Sequence, residues 1–267
     1  MGAGGVTELR ERISHALAPS GLNVVGVADP ARWDACVPAT RQCEALLPGT
    51  RGILVVGSGG PGLWDALVEE CRLRPEALQA QAHPLDAFVR RAVEAVPVSG
   101  RHRWFFASAD AELHLDFRML AHLAGLGGKS RMGLLLHREH GLWLGLRAAC
   151  FLDQPLAPDS PETSDPCAGC PGYCAQACPG GAFPAGEWQV EPCAEFHGVS
   201  THCASSCDAR GACPRGAGSR YSADELHYHY NRGTGRARLA AAAGVTHDTR
   251  VGEGPHWGTW RDRTRVR

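Results

Sequence analysis

Eight cysteines fall between Cys167 and Cys213, and their spacing is the strongest chemical signal in the chain. The first four read Cys167-x2-Cys170-x3-Cys174-x3-Cys178, with Pro179 following at once. Iron in a cubane cluster is held by thiolate sulfur, and a tight loop of this kind aims three sulfurs inward from a few residues. In two-cluster ferredoxins a fourth cysteine followed by proline leaves the loop and ligates the partner cluster. Cys193, Cys203, Cys207 and Cys213-Pro214 supply four more thiolates and a second Cys-Pro. Eight ligands suit two 4Fe–4S clusters, with Cys167, Cys170 and Cys174 pairing with Cys213, and Cys193, Cys203 and Cys207 pairing with Cys178. The spacing departs from the usual pattern, because Pro171-Gly172-Tyr173 lengthens the first triplet and Cys203, Cys207 and Cys213 stand three and five residues apart. One cluster plus spare thiols is therefore a second reading. A structural zinc module is a third, although zinc favours paired C-x2-C knuckles and only one such pair exists here. Disulfides would fit a secreted chain better than a cytosolic one.

The other four cysteines carry less. Cys71 and Cys150 lie in apolar periodic stretches and read as small core residues, as free cysteine commonly is. Cys36 and Cys43 sit in what reads as a polar loop, with nothing nearby to mark a redox pair.

The elements that must position this cluster come before it. The chain has 267 residues, 44% of them hydrophobic and 21% charged, as in an ordinary globular protein. Its formal net charge of −1 argues against nucleic-acid binding through a large basic excess. Thr7 reads as the cap of a helix carrying Leu9, Ile13 and Leu17. Asn23–Ala28 and Ile53–Val56 read as strands, Trp104–Ala107 as a short one, and Met132–His137 and Leu142–Cys150 as two more. Trp64–Leu73, Leu85–Val96 and Leu113–Leu123 have helical apolar spacing, and Gly125–Ser130 is a glycine-rich turn. Helices interleaved with short strands predict an α/β or α+β layer domain over residues 1–155. The proline-rich stretch Asp153–Pro166 is a linker, a small ferredoxin-like domain occupies 156–220, and a helix capped by Ser222 plus a flexible tail fill 221–267. His227 and His229 on that helix face different directions and do not share a metal. Trp257 and Trp260 lie in a terminus that reads as loosely packed. The best apolar stretch is too short for a membrane span, and no secretory signal opens the chain, so cytoplasm is the expected compartment.

Gly21-Leu-Asn-Val-Val-Gly-Val-Ala28 and Leu47-Pro-Gly-Thr-Arg-Gly-Ile-Leu-Val-Val56 resemble the opening strands of epoxyqueuosine reductases. Gly125-Leu-Gly-Gly-Lys-Ser-Arg-Met-Gly-Leu-Leu-Leu-His137 and Gly141-Leu-Trp143 resemble their glycine–lysine turn, strand and Gly-x-Trp segment. The first domain is also similar, more distantly, to the cobalamin-processing decyanase/dealkylase of animals, which lacks the iron–sulfur module. The resemblance implies a nitroreductase-like, corrinoid-binding layer domain followed by a two-cluster ferredoxin-like domain. It implies cobalamin as second cofactor, an electron donor such as a ferredoxin or flavodoxin, and a small-molecule or modified-nucleoside substrate. Gly128, Lys129, His137, Gly141 and Trp143 align with the cofactor-side segment. Read from the residues alone, a β-turn with a core tryptophan is the favoured reading of the same segment. The family's general-acid aspartate precedes a proline. Asp110 is the nearest counterpart here, with Glu112 the runner-up, and no proline follows; an Asp before a helix is more often its cap. Only Pro214–Arg267 follow the last cysteine, so no counterpart of the family's tRNA-reading C-terminal region is expected. The implied activity is electron transfer through the clusters to a corrinoid for reductive chemistry. A ferredoxin-like carrier with no substrate of its own and a cobalamin-processing or trafficking protein are the alternatives.

Overall fold

The computed structural model describes residues 4–79, 83–108, 115–231 and 233–246, with no account of the side chains of residues 4–8 and 79. In chain order the elements are α1 (Gly4–Leu17), β1 (Val24–Ala28), α2 (Pro30–Cys36), α3 (Cys43–Leu46), β2 (Gly52–Gly59), α4 (Gly62–Leu73), α5 (Glu76–Gln79), α6 (Pro84–Glu94) and β3 (His102–Phe106). There follow α7 (Phe117–Leu123), β4 (Gly128–Lys129), β5 (Leu135–Leu136), β6 (Leu144–Leu152), α8 (Tyr173–Ala177), α9 (Val190–His197), α10 (Asp208–Gly211), α11 (Ala223–Tyr230) and α12 (Gly235–Ala243).

A four-stranded antiparallel sheet in the order β1-β2-β6-β3 forms the middle layer. Helices cover both of its faces, so β2 is buried throughout and β6 over residues 148–152, and both read there as continuous apolar runs. Strand alternation still sorts the side chains. Leu54, Val56, Ala148, Cys150 and Leu152 meet Leu9, Ile13, Leu17, Leu63, Leu67 and Val93 on the face of α1, α4 and α6. Ile53, Val55, Ala149 and Phe151 meet Trp33, Leu46, Leu120 and Ala121 on the face of α2, α3 and α7. Phe105 and Trp33 both set edges against Phe151, with ring centroids 5.2 and 6.4 Å away.

Several sequence expectations need correction. The first helix begins at Gly4, before Thr7. Cys36 and Cys43 do not sit in a polar loop: Cys36 ends α2, and Cys43 starts α3, is buried, and donates its N–H to Asp34 Oδ1 at 2.7 Å. Of Met132–His137 only Leu135 and Leu136 pair as a strand. Met132 and Gly133 are turn residues, with Gly133 at φ 67° and Met132 N–H donating to Ser130 Oγ at 3.2 Å. In the Leu113–Leu123 stretch the described helix begins at Phe117, because the Asp116 carboxylate caps it by accepting from the N–H groups of Arg118 and Met119. Ser222 caps α11 as expected, accepting from Glu225 N–H. A second C-terminal helix, α12, follows it, and Tyr228, Leu239, Ala240 and Ala243 join the core on the α4 side.

Candidate metal centre

The cysteine-rich segment folds as three short helices joined by loops, and its eight cysteines are half-buried. Cys174 lies in α8, Cys178 is that helix's C-cap, Cys193 lies in α9, Cys207 is the N-cap of α10, and Cys213 follows α10. Gly172, at φ 83°, turns the chain into α8 as only glycine does without strain. Asp165 Oδ1 accepts the Cys167 N–H at 2.8 Å and pins the start of the motif.

The sulfurs gather in two groups. Cys174 and Cys213 each stand close enough to Cys167 and Cys170 to feel their charge, and all four line one small cavity with Pro214. Cys193 likewise feels Cys178 and Cys203, and Cys207 feels Cys193. All twelve cysteines of the chain are free thiols. Burial pushes the thiols of Cys174, Cys193, Cys207 and Cys213 up, and the neighbouring sulfurs push in the same direction. Among the described residues no group of three or more His, Cys, Asp or Glu side chains is set to hold a single metal ion. A four-iron cage makes a different demand, because each thiolate binds its own iron and the four sulfurs must stand apart around the cage. Four free, half-buried thiols in each group fit that donor set.

An apolar wall backs the first group. Met132, Leu136 and Leu142 pack with Ala182, Phe183 and Ala209 against Cys174, Cys178, Cys193, Cys207 and Cys213. The β4–β5 hairpin is that wall, and it has two sides. Ser130, Arg131, Met132 and Leu136 line the Cys167/Cys170/Cys174/Cys213 cavity. Lys129, Gly133, Leu134 and Leu135 line a separate open cavity of about 470 Å³, shared with Asp116, Arg118, Met119 and His122 of the α7 region and with Trp188. Arg131 donates to Cys170 O at 3.2 Å and accepts the Trp188 N–H on its own carbonyl at 2.8 Å, which ties the hairpin to the cysteine-rich segment.

The five positions expected on the cofactor side do not share one surface. Lys129 lies on the open cavity, largely exposed, 3.9 Å from Glu187. His137 lines a different, polar cavity of about 320 Å³ with Arg10, Arg138 and Asp159. Its Nδ1 accepts the N–H groups of Glu139 and His140 at 3.2 and 3.1 Å; burial, then the neighbouring His140 and Arg138, hold its pKa down at about 4. Gly128 packs on the Pro166 ring. Trp143 is buried, with the Tyr221 ring edge-on at 5.3 Å and the Arg210 guanidinium 4.5 Å above it. Arg210 comes from α10 and donates to Leu142 O at 2.7 Å, so Trp143 is a clasp between the sheet and the cysteine-rich segment.

Gly141 serves the same contact. Its φ is 56°, and a Cβ there would lie 2.1 Å from Arg215 O; a Cβ on Gly216 would lie 2.2 Å from His140 O. The two turns meet backbone to backbone, two residues from Cys213. Asp110 and Glu112 lie outside the described residues, as do Trp257 and Trp260. His227 and His229 do point apart, His227 to Thr234 Oγ1 at 2.6 Å and His229 to Glu225 and the Tyr221 and Tyr228 rings. The sequence reading missed Asp116, Met119, His122 and Trp188, which meet at the open cavity from distant parts of the chain and form no motif. It also missed a buried polar cluster behind Trp143. There burial pushes Glu225 up to about 8, against the opposing pull of Arg147 and Arg210.

No family model and no curated protein matches this chain. Solved structures do. The B12-trafficking protein CblC of C. elegans superposes with a TM-score of 0.62 at 12% identity, covering 93% of this chain and 100% of that one. An epoxyqueuosine reductase gives 0.52 at 19% identity, covering 81% and 68%. The epoxyqueuosine reductase of Bacillus subtilis, solved with its catalytic aspartate loop swung out of the active site, gives 0.52 at 16%, covering 89% and 80%. The fold is the one these proteins share. At these identities the likeness is one of fold. Among the described residues no helix is long and apolar enough to cross a membrane.

Proposed function

We propose that this chain is an iron–sulfur oxidoreductase that carries electrons singly through two 4Fe–4S clusters to a corrinoid, for reductive chemistry on a substrate still to be identified. The observation that carries this reading is the gathering of eight free cysteines into two quartets, one of them separated from an open cavity by a single hairpin. Cys167, Cys170, Cys174 and Cys213 would hold one cluster, and Cys178, Cys193, Cys203 and Cys207 the other. When bound, the clusters would supply one-electron relay sites and the corrinoid a reducible cobalt.

The residues of this chain have separable tasks. Met132, Leu136 and Leu142 keep water from the first quartet on its sheet side. Arg210, seated on Trp143, and the Gly141–Gly216 contact hold Cys213 against its three partners. Leu134, Leu135, Met119 and Trp188 offer a flat apolar ligand a wall, and Lys129, His122, Arg118 and Asp116 offer its polar rim hydrogen bonds. Asp110, six residues before the Asp116 cap, is the proposed general acid. A ferredoxin or flavodoxin is the proposed donor.

Corrinoid handling, in which reduced cobalamin is passed on, is the second reading. The higher TM-score with CblC, over that protein's whole length, favours it. Anaerobic reconstitution with iron, sulfide and cobalamin, followed by gel filtration and a visible spectrum, tests both. Retained corrinoid bands that change on addition of reductant support the proposal, and repeated release of a reduced product separates enzyme from handler. A brown protein that retains no corrinoid leaves only the electron carrier.

A further inference from the structure

His122 stands in the last turn of α7 and lines the open cavity together with Met119, Leu134, Leu135 and Trp188. Its Nδ1 lies 3.2 Å from the carbonyl oxygen of Gly127. A carbonyl oxygen only accepts, so Nδ1 carries the ring proton and Nε2 keeps its lone pair. The carbonyl that orients the ring is itself held in place. Gly127 has φ 142° and lies so close to β5 that an added Cβ would stand 2.5 Å from Leu136 O. Among the described residues no hydrogen bond or ion pair takes His122 Nε2. His137, on the other cavity, is arranged the opposite way. Its Nδ1 accepts two backbone N–H groups, so its Nε2 carries the proton and has no lone pair to give.

An imidazole whose other nitrogen donates to a backbone carbonyl is fixed in tautomer and orientation and made more basic, as metal-ligating histidines are. Among the described residues no three His, Cys, Asp or Glu side chains converge on a metal ion, so His122 has no protein co-ligands. A lone imidazole of this kind suits a metal that already has its other ligands from a macrocycle, as haem iron does. A corrin ring supplies them in its plane, and the apolar wall of Leu134, Leu135 and Trp188 suits a flat ring. Resting on the corrinoid reading above, we propose that His122 supplies more than a rim hydrogen bond: its Nε2 is the axial ligand of cobalt when a corrinoid occupies the open cavity. The nucleotide base that cobalamin carries is then not needed as a ligand, and a corrinoid lacking that base is held by the same contact.

The test loads the full chain, reconstituted anaerobically and left oxidised, with cob(II)inamide, a corrinoid that has no nucleotide base. Gel filtration reads retention, and EPR reads whether a nitrogen splits the cobalt lines. Nitrogen splitting is expected in the wild type, in a pattern that changes when its histidines are labelled with 15N. H122N keeps a donor for Gly127 O and loses the Nε2 ligand, so its splitting is expected to vanish. If H122N does not fold, H122Q is read in its place, and the labelled wild type still separates a protein nitrogen from none. Cobinamide retained without splitting, or splitting untouched by the label or by the variant, overturns the axial assignment and leaves the corrinoid reading standing. Retention of cobalamin but not of cobinamide does the same. A wild type that retains neither overturns the corrinoid reading itself.

Discussion

Gly216→Ala separates a cluster-holding role for Cys213 from an incidental one. Gly216 has φ 68° and its added Cβ would lie 2.2 Å from His140 O, against a floor near 3.0 Å for real Cβ contacts. The two turns must part by roughly 1 Å, close to half a metal–thiolate bond of about 2.3 Å. The left-handed backbone costs an alanine a further 1–2 kcal/mol, roughly. Arg215 and Pro214 transmit that movement to Cys213, whereas the second quartet depends on none of these residues. The expected result is loss of one cluster: iron falls from about eight to about four per chain, and the spins of the fully reduced protein fall from two to one. Gly218→Ala is the control, because nothing lies within 4 Å of the Cβ it adds, and it should keep both clusters. Iron counts and EPR spin quantitation on anaerobically prepared protein read the outcome. A Gly216→Ala protein with full iron and two spins would refute the link between this contact and the first quartet.

Glu225→Gln tests the buried polar cluster. The Glu225 carboxyl, normally near 4.5, titrates at about 8 in the fold, so the folded state keeps a proton that the unfolded chain releases. Stability that is complete below pH 4.5 is therefore lost as pH rises to about 8, by up to about 5 kcal/mol. The variant should flatten this slope in denaturant midpoints measured from pH 5 to 9, and parallel curves would contradict the burial argument. Leu134→Trp fills part of the open cavity. It should weaken cobalamin binding by about tenfold or more, about 1.4 kcal/mol, without changing the iron count; unaltered affinity would move the corrinoid elsewhere.

The proximity of Cys167, Cys170 and Cys174 was legible in the sequence because a C-x2-C-x3-C turn is local chemistry, which brings these residues together whatever surrounds it. The strands were legible for a related reason, since apolar runs such as Ile53–Val56 have few alternatives to a sheet buried on both faces. Met132–His137 misled because its apolar residues serve two cavities rather than one strand face. Cys43 misled because a polar neighbourhood, Asp34 and Gln42, conceals a buried helix start. The helix α12 went unread because GRARLAAAA has almost no amphipathic contrast, and its alanines pack by smallness against α11 and α4. Trp188 and Asp116 could not be paired from sequence, because the hairpin that joins them at one cavity exists only in the fold.

The most direct test of the central claim is elemental analysis of protein purified without oxygen, with iron, acid-labile sulfide and zinc measured on one sample. About eight irons and eight sulfides per chain with negligible zinc are predicted. Zinc in place of iron, or iron without sulfide, would contradict it.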